Sequence, residues 1–209
     1  MKAVIIGGSG KMGQWFARHL LHEGIEVVIT GRNQEKLLAA GKKLGTPIAT
    51  NVEAVKQADV VIISVPPDNF ESVVQGIAPF ARQEQIFIDV TSLKTNPVAI
   101  MHRYIKKGTI LGTHPVFGPG AKGLSNQNFI LAPTNEKEAI LAGKTRQYLE
   151  ERGANVTMMT PQEHDRMMTV VLGLAHFIAI VSADTLLGFE NFQEMKKIGG
   201  MTFKVLYTL

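Results

Sequence analysis

A chain of 209 residues with 45% apolar and 19% charged side chains can build a sizeable core, which excludes a disordered polypeptide. It has no cysteine, so disulfide frameworks and thiolate metal sites are excluded. The net charge of +4 comes without a long Lys/Arg run, which argues against nucleic acid and suits small anionic ligands. The N-terminus lacks the regions of a signal peptide, and a cytoplasmic location is expected.

Lys2 to Gly13, KAVIIGGSGKMG, reads as a buried strand, a glycine turn and the start of a helix near Lys11. Gly8, Gly10 and Gly13 form a G-x-G-x-x-G pattern in the context that a dinucleotide site requires. Gly8 is expected to allow the turn, Gly10 the approach of a pyrophosphate, and Gly13 close packing of helix on strand. Ser9, Lys11 and Met12 complete the phosphate loop, with the helix amides and dipole behind it. Met12, Trp15, Phe16 and Leu20 give that helix one apolar face, and Gly24 ends it.

Glu26 to Thr30 is the second strand. NAD enzymes usually end it with a carboxylate for the ribose 2′-hydroxyl. Here the chain reads Thr30-Gly31-Arg32-Asn33. Arg32 can pair with a 2′-phosphate, so NADP is expected, with NAD as the alternative.

Asn33 reads as the cap of a helix through Leu44, followed by a short strand at Pro47 to Ala49 and a helix at Val52 to Gln57. Val60 to Val65 is an apolar strand that ends at Pro66-Pro67, and a helix follows to about Phe80. Ile86 to Asp89 is a strand, Pro97 to Lys107 a helix, and Thr109 to Thr113 a strand ending at His114. The alternation predicts an α/β, Rossmann-type, doubly wound parallel sheet. Ligands on such sheets bind beyond the carboxyl ends of the strands. Ser64, Val65, Pro66 and the Asp89 to Lys94 loop therefore join the glycine turn around one crevice. His114 falls where a substrate would meet a nicotinamide; its alternative is a histidine that staples the loop.

Asn128 to Pro133 reads as a further strand, Asn135 caps a helix to Glu151, and Asn155 to Met159 is the last strand. Thr160-Pro161-Gln162-Glu163 is a capped helix start and divides a dinucleotide-binding domain, 1–160, from a helical region, 161–209. Met167 to Ala183 carries no formal charge when His176 is neutral. It is slightly short for a bilayer and has a histidine in its middle, so burial in a helical domain or dimer is expected rather than a membrane.

Five segments together resemble the prephenate (or arogenate) dehydrogenase family: GGSGKMG, DVTSLK at Asp89 to Lys94, THPVFGP at Thr113 to Pro119, EHD at Glu163 to Asp165, and LAHF at Leu174 to Phe177. THPVFGP and LAHF are the specific ones. The resemblance implies a Rossmann domain followed by a helical, dimer-forming domain. It also implies oxidative decarboxylation of prephenate to 4-hydroxyphenylpyruvate, in tyrosine biosynthesis. By the same resemblance His114 is the catalytic histidine at the substrate hydroxyl. Ser92 orients that hydroxyl and the nicotinamide, and His176 lines the active site. The family's carboxylate-binding arginine has no counterpart, because the last arginine is Arg166; Lys122 is the stand-in considered. The helical region is accordingly expected to be abbreviated and completed by a homodimer. The other readings are arogenate as substrate, a different NADP reductase acting on a deazaflavin or 3-hydroxy acid, and an NADP-sensing module without catalysis.

Overall fold

The computed structural model describes residues 1–208. A seven-stranded sheet has the order β2-β1-β3-β4-β5-β6-β7. Its strands are β1 (Lys2–Ile6), β2 (Glu26–Thr30), β3 (Val60–Ile63), β4 (Ile86–Asp89), β5 (Thr109–Pro115), β6 (Asn128–Ala132) and β7 (Asn155–Met158). β1 to β5 are parallel, β6 is antiparallel to β5, and β7 is parallel to β6. The reversal at β6 departs from the expected all-parallel sheet. The 116–127 connection contains no crossover helix of the kind that usually joins parallel strands.

Helices cover both faces. On one lie α1 (Lys11–His22), α2 (Gln34–Leu44) and α6 (Glu136–Glu150), packed through Trp15, Phe16, Leu37 and Leu149 onto Ile5, Ile29 and Leu131. On the other lie α3 (Asn51–Gln57), α4 (Pro67–Ile77) and α5 (Thr95–Tyr104), packed through Val55, Phe70, Val74 and Met101 onto Val4, Val61 and Phe87. The central strands are apolar on both sides because both sides are covered.

Several boundaries differ from the sequence expectation. Pro47 to Ala49 contributes only a bridge between Ile29 and Ile48. β3 stops at Ile63, which leaves Ser64 and Val65 in the loop. α5 starts at Thr95, since a proline at its third position lies within the first turn and costs no hydrogen bond. It ends at Tyr104, and Ile105 caps it in extended backbone. β5 runs through Pro115, so His114 lies inside the strand, opposite Ile130, and not just beyond it.

Residues from Met1 to His164 form one compact unit and those from Asp165 a second. The helix α7 (Pro161–Met168) starts in the first unit; a π-helical segment (Thr169–Leu174) and α8 (Ala175–Leu187) follow, then α9 (Phe192–Ile198) and α10 (Met201–Thr208). Within the second unit Tyr207 meets the rings of Phe192 and Phe203. Val170, Phe177 and Ile180 are exposed, and no residue of Met167 to Ala183 is buried. By length and composition alone, Pro161–Leu187 could cross a membrane.

Candidate active site

The glycine turn, Arg32, Ser64, Ser92 and His114 all follow or end strands at the carboxyl end of the parallel strands β1 to β5. A cavity of about 800 Å³ opens there, lined by Ser9, Gly10, Arg32, Ser64, Val65 and Pro66, with Gly7, Thr50, Asn51 and Asn69. It brings together six of the eleven residues predicted to bind cofactor. The other five serve the turn from behind or beside it.

Gly7, and not Gly8, takes the left-handed conformation at the turn, with φ +83°. A Cβ on Gly7 would stand 2.2 Å from the Ser64 carbonyl oxygen. Gly8 is needed for packing, since its Cβ would lie 2.5 Å from the Cβ of Ile29. Gly13 carries the tightest helix contact, 2.4 Å from its Cβ position to the Gly7 oxygen. At Gly10 the same position meets only the Gly7 oxygen, at 3.2 Å, and otherwise faces open space. Gly10 is also the N-cap of α1 and supplies no side chain to cap it, so first-turn amides remain for an anion. Lys11 is exposed at that helix start, and Met12 packs toward the core. Thr30 is fully buried: its carbonyl accepts from the Gly7 and Gly8 amides at 3.1 and 2.9 Å, and its hydroxyl donates to Asn51 at 2.5 Å. It therefore shapes the cradle without lining it. Arg32 reaches across to donate to Asn69 Oδ1 at 2.7 Å. The volume, the bare Gly10 and the uncapped helix start fit a dinucleotide.

A second cluster of polar side chains is built on β4 and β5. Asp89 and Lys94 form a fully buried ion pair. Burial pushes the Asp89 carboxyl up, and the Lys94 ammonium and the Thr91 amide act against that rise. Lys94 also donates to the Thr113 carbonyl at 2.6 Å, and the Thr113 hydroxyl donates to the Asp89 carbonyl at 2.7 Å. The loop bearing the exposed Ser92 is thereby closed by its own ends, beside the strand that bears His114. His114 is 5% exposed, and its Nδ1 lies 2.8 Å from Nε2 of the fully buried His164. His164 was not singled out from sequence, although it sits in the EHD segment.

Beyond β5, Phe117 packs on Trp15 at 4.8 Å, and the Trp15 indole donates to the Ala121 carbonyl at 2.7 Å. These contacts fix the glycine- and proline-rich loop. Lys122, within it, is exposed. His176 lies on α8 in the second unit and is exposed there.

Fold and site together define a dinucleotide-binding Rossmann domain with a buried histidine on β5. The model of the prephenate dehydrogenase nucleotide-binding domain matches residues 16–158, and the chain belongs to that family. A probable arogenate/prephenate dehydrogenase of Methanocaldococcus jannaschii is 36% identical over 209 residues, covering 98% of this chain and 47% of that protein. The T-protein of Haemophilus influenzae is 30% identical over 180 residues, 84% of this chain and 42% of that protein. The chain thus spans about half the length of these curated relatives. The crystal structure of prephenate dehydrogenase from Aquifex aeolicus superposes with a TM-score of 0.75 at 25% identity, covering 89% of this chain and 71% of that one. A complex of the Aquifex aeolicus enzyme with hydroxyphenyl propionate and NAD+ gives a TM-score of 0.77 at 22% identity, over 100% and 82% of the two chains.

Proposed function

We propose that this chain carries the oxidative decarboxylation of prephenate, or of its amino analogue arogenate, to the corresponding 4-hydroxyphenyl product, with NADP as oxidant. The observation that supports it most is the buried His114 on β5, one strand from the Ser92 loop and, like the dinucleotide cavity, at the carboxyl end of the parallel strands. Bound NADP would accept a hydride from ring C4. Gly7 to Gly13 would hold its pyrophosphate, and Arg32, steadied by Asn69, its 2′-phosphate.

His114 Nε2 takes the proton of the 4-hydroxyl as hydride leaves the same carbon, so that a ring ketone forms there. The bond from C1 to its carboxylate then breaks, carbon dioxide departs, and that electron pair makes the ring aromatic. The phenolic oxygen left negative recovers its proton from His114. The histidine returns to its neutral state, and no net proton is consumed. Ser92, on its closed loop, orients the hydroxyl.

The exposed apolar helices favour a homodimer through the second unit. Membrane insertion is the less favoured reading, because His176 would stand in the middle of the span. Sedimentation equilibrium at micromolar concentration should show dimers; a monomer would remove the assembly claim. The activity is tested by mixing the protein with prephenate, arogenate and NADP. Substrate-dependent reduction is expected with one of the two acids. Cofactor binding without reduction would favour an NADP-sensing module instead.

A further inference from the structure

We propose that His164 is a positioning residue that holds His114 in the single tautomer able to act as a base. The proposal deepens the reading of His114 given above and rests on it.

Two imidazole nitrogens 2.8 Å apart, His114 Nδ1 and His164 Nε2, need one hydrogen between them. Two hydrogens would collide, and none would set two lone pairs face to face. That leaves two arrangements. If His164 donates, neutral His114 carries its own hydrogen on Nε2, where it can only donate. If His114 donates through Nδ1, its Nε2 keeps a lone pair and can take a hydroxyl proton. Base chemistry selects the second arrangement, with His164 as acceptor. When Nε2 gains its proton, the Nδ1–H···Nε2 bond to His164 persists without rearrangement.

Both rings hang from main chain that is fixed. His114 sits in the β5–β6 ladder, directly after Thr113, whose carbonyl and hydroxyl are tied to Lys94 and Asp89. His164 lies in the first turn and a half of α7. There Thr160 and Glu163 cap each other, with Thr160 N to Glu163 Oε2 at 2.9 Å and Glu163 N to Thr160 Oγ1 at 3.2 Å. The His164 amide donates to the Thr160 carbonyl at 3.0 Å, and Thr95 Oγ1 donates to the Pro161 carbonyl at 3.2 Å. A carboxylate in place of His164 would orient the ring equally well but would add a buried negative charge. A neutral imidazole accepts the bond without that charge. Asp89 and Lys94 are tied to Thr113, the residue before His114, and Glu163 and Asp165 flank His164 in sequence on α7.

The first test needs no turnover. In ¹⁵N-histidine-labelled protein, with signals assigned by their loss in His114→Asn, neutral His114 should show a protonated Nδ1 and a bare Nε2. The reverse tautomer would overturn the proposal. The second test is kinetic. His164→Leu removes the acceptor, and kcat should fall about 10- to 100-fold, the scale on which outer partners of a histidine act, with cofactor affinity unchanged. His164→Gln places a carbonyl near the lost Nε2 and should restore kcat to within a few-fold of wild type. If the leucine variant does not fold, His164→Asn, whose carbonyl stops short, takes its place and should be as slow. Wild-type kcat in the leucine or asparagine variant, or equal losses in those and in His164→Gln, would overturn the tautomer lock. A fully active His114→Asn would instead remove the base assignment and leave the tautomer measurement standing.

Discussion

Lys94 donates to the main-chain carbonyl of Thr113 at 2.6 Å, one residue before His114, while its ammonium pairs with Asp89. One buried cation thus joins the end of β4, the Ser92 loop and the strand of the candidate base. Lys94→Met would leave Asp89 buried without its counter-charge. The expected loss is about 3–5 kcal/mol in unfolding free energy, read from urea titration. A loss below about 1 kcal/mol would show that the pair is solvated in solution.

The glycines of the turn should separate by phenotype. Gly10→Val should fold and lose dinucleotide affinity in titration calorimetry, because its side chain points into the cavity. Gly13→Ala should be destabilised by about 1–3 kcal/mol, because its methyl meets the Gly7 and Gly8 backbone. Equal cofactor affinity in Gly10→Val and wild type would show that the pyrophosphate lies elsewhere.

Arg32 is held by Asn69 at 2.7 Å, across the mouth of the cavity. Arg32→Ala should raise the KM for NADP at least tenfold, the cost of about 1.4 kcal/mol, and leave the KM for NAD nearly constant. Wild-type protein that uses both cofactors with equal kcat/KM would refute the preference.

Stability should fall on the acid side partly through His19, which stacks on Trp15 and lies 2.9 Å from the Tyr148 hydroxyl. Desolvation holds its pKa below 6.5, against the pull of Glu23. The unfolded chain takes up this proton first. Stability is therefore complete above the unfolded value and declines as pH falls through the folded one. The shift in urea midpoint between about pH 7.5 and about pH 5.5 should be smaller in His19→Asn than in wild type. An equal shift would assign the acid sensitivity to other groups.

Much of this was legible in the residues. Apolar runs bounded by glycine and proline located β1 to β5, and α1, α2 and α6 followed from their caps and spacing. The sequence pattern assigned the strained turn to Gly8, whereas the structure assigns it to Gly7, because which glycine meets the Ser64 carbonyl depends on where β3 ends. The antiparallel β6 was hidden because a strand's direction depends on its connection and not on its own pattern. His164 was hidden for a related reason. Its neighbours Thr160 and Glu163 announce a helix start, but nothing local says that the next residue meets a strand fifty positions earlier. The Asp89 to Lys94 loop could be placed at the crevice from sequence, but not the buried pairing of its two ends, since burial of a charge is a tertiary fact.

The central claim is that His114 is the base of a prephenate-type oxidation. Its most direct test is reduction of NADP by prephenate or arogenate, followed by absorbance, for wild type and His114→Asn in parallel with cofactor titrations. The account predicts substrate-dependent reduction by wild type, a fall in kcat of about 10²- to 10⁴-fold in the variant, and unchanged cofactor affinity. A variant that turns over at the wild-type rate would contradict it.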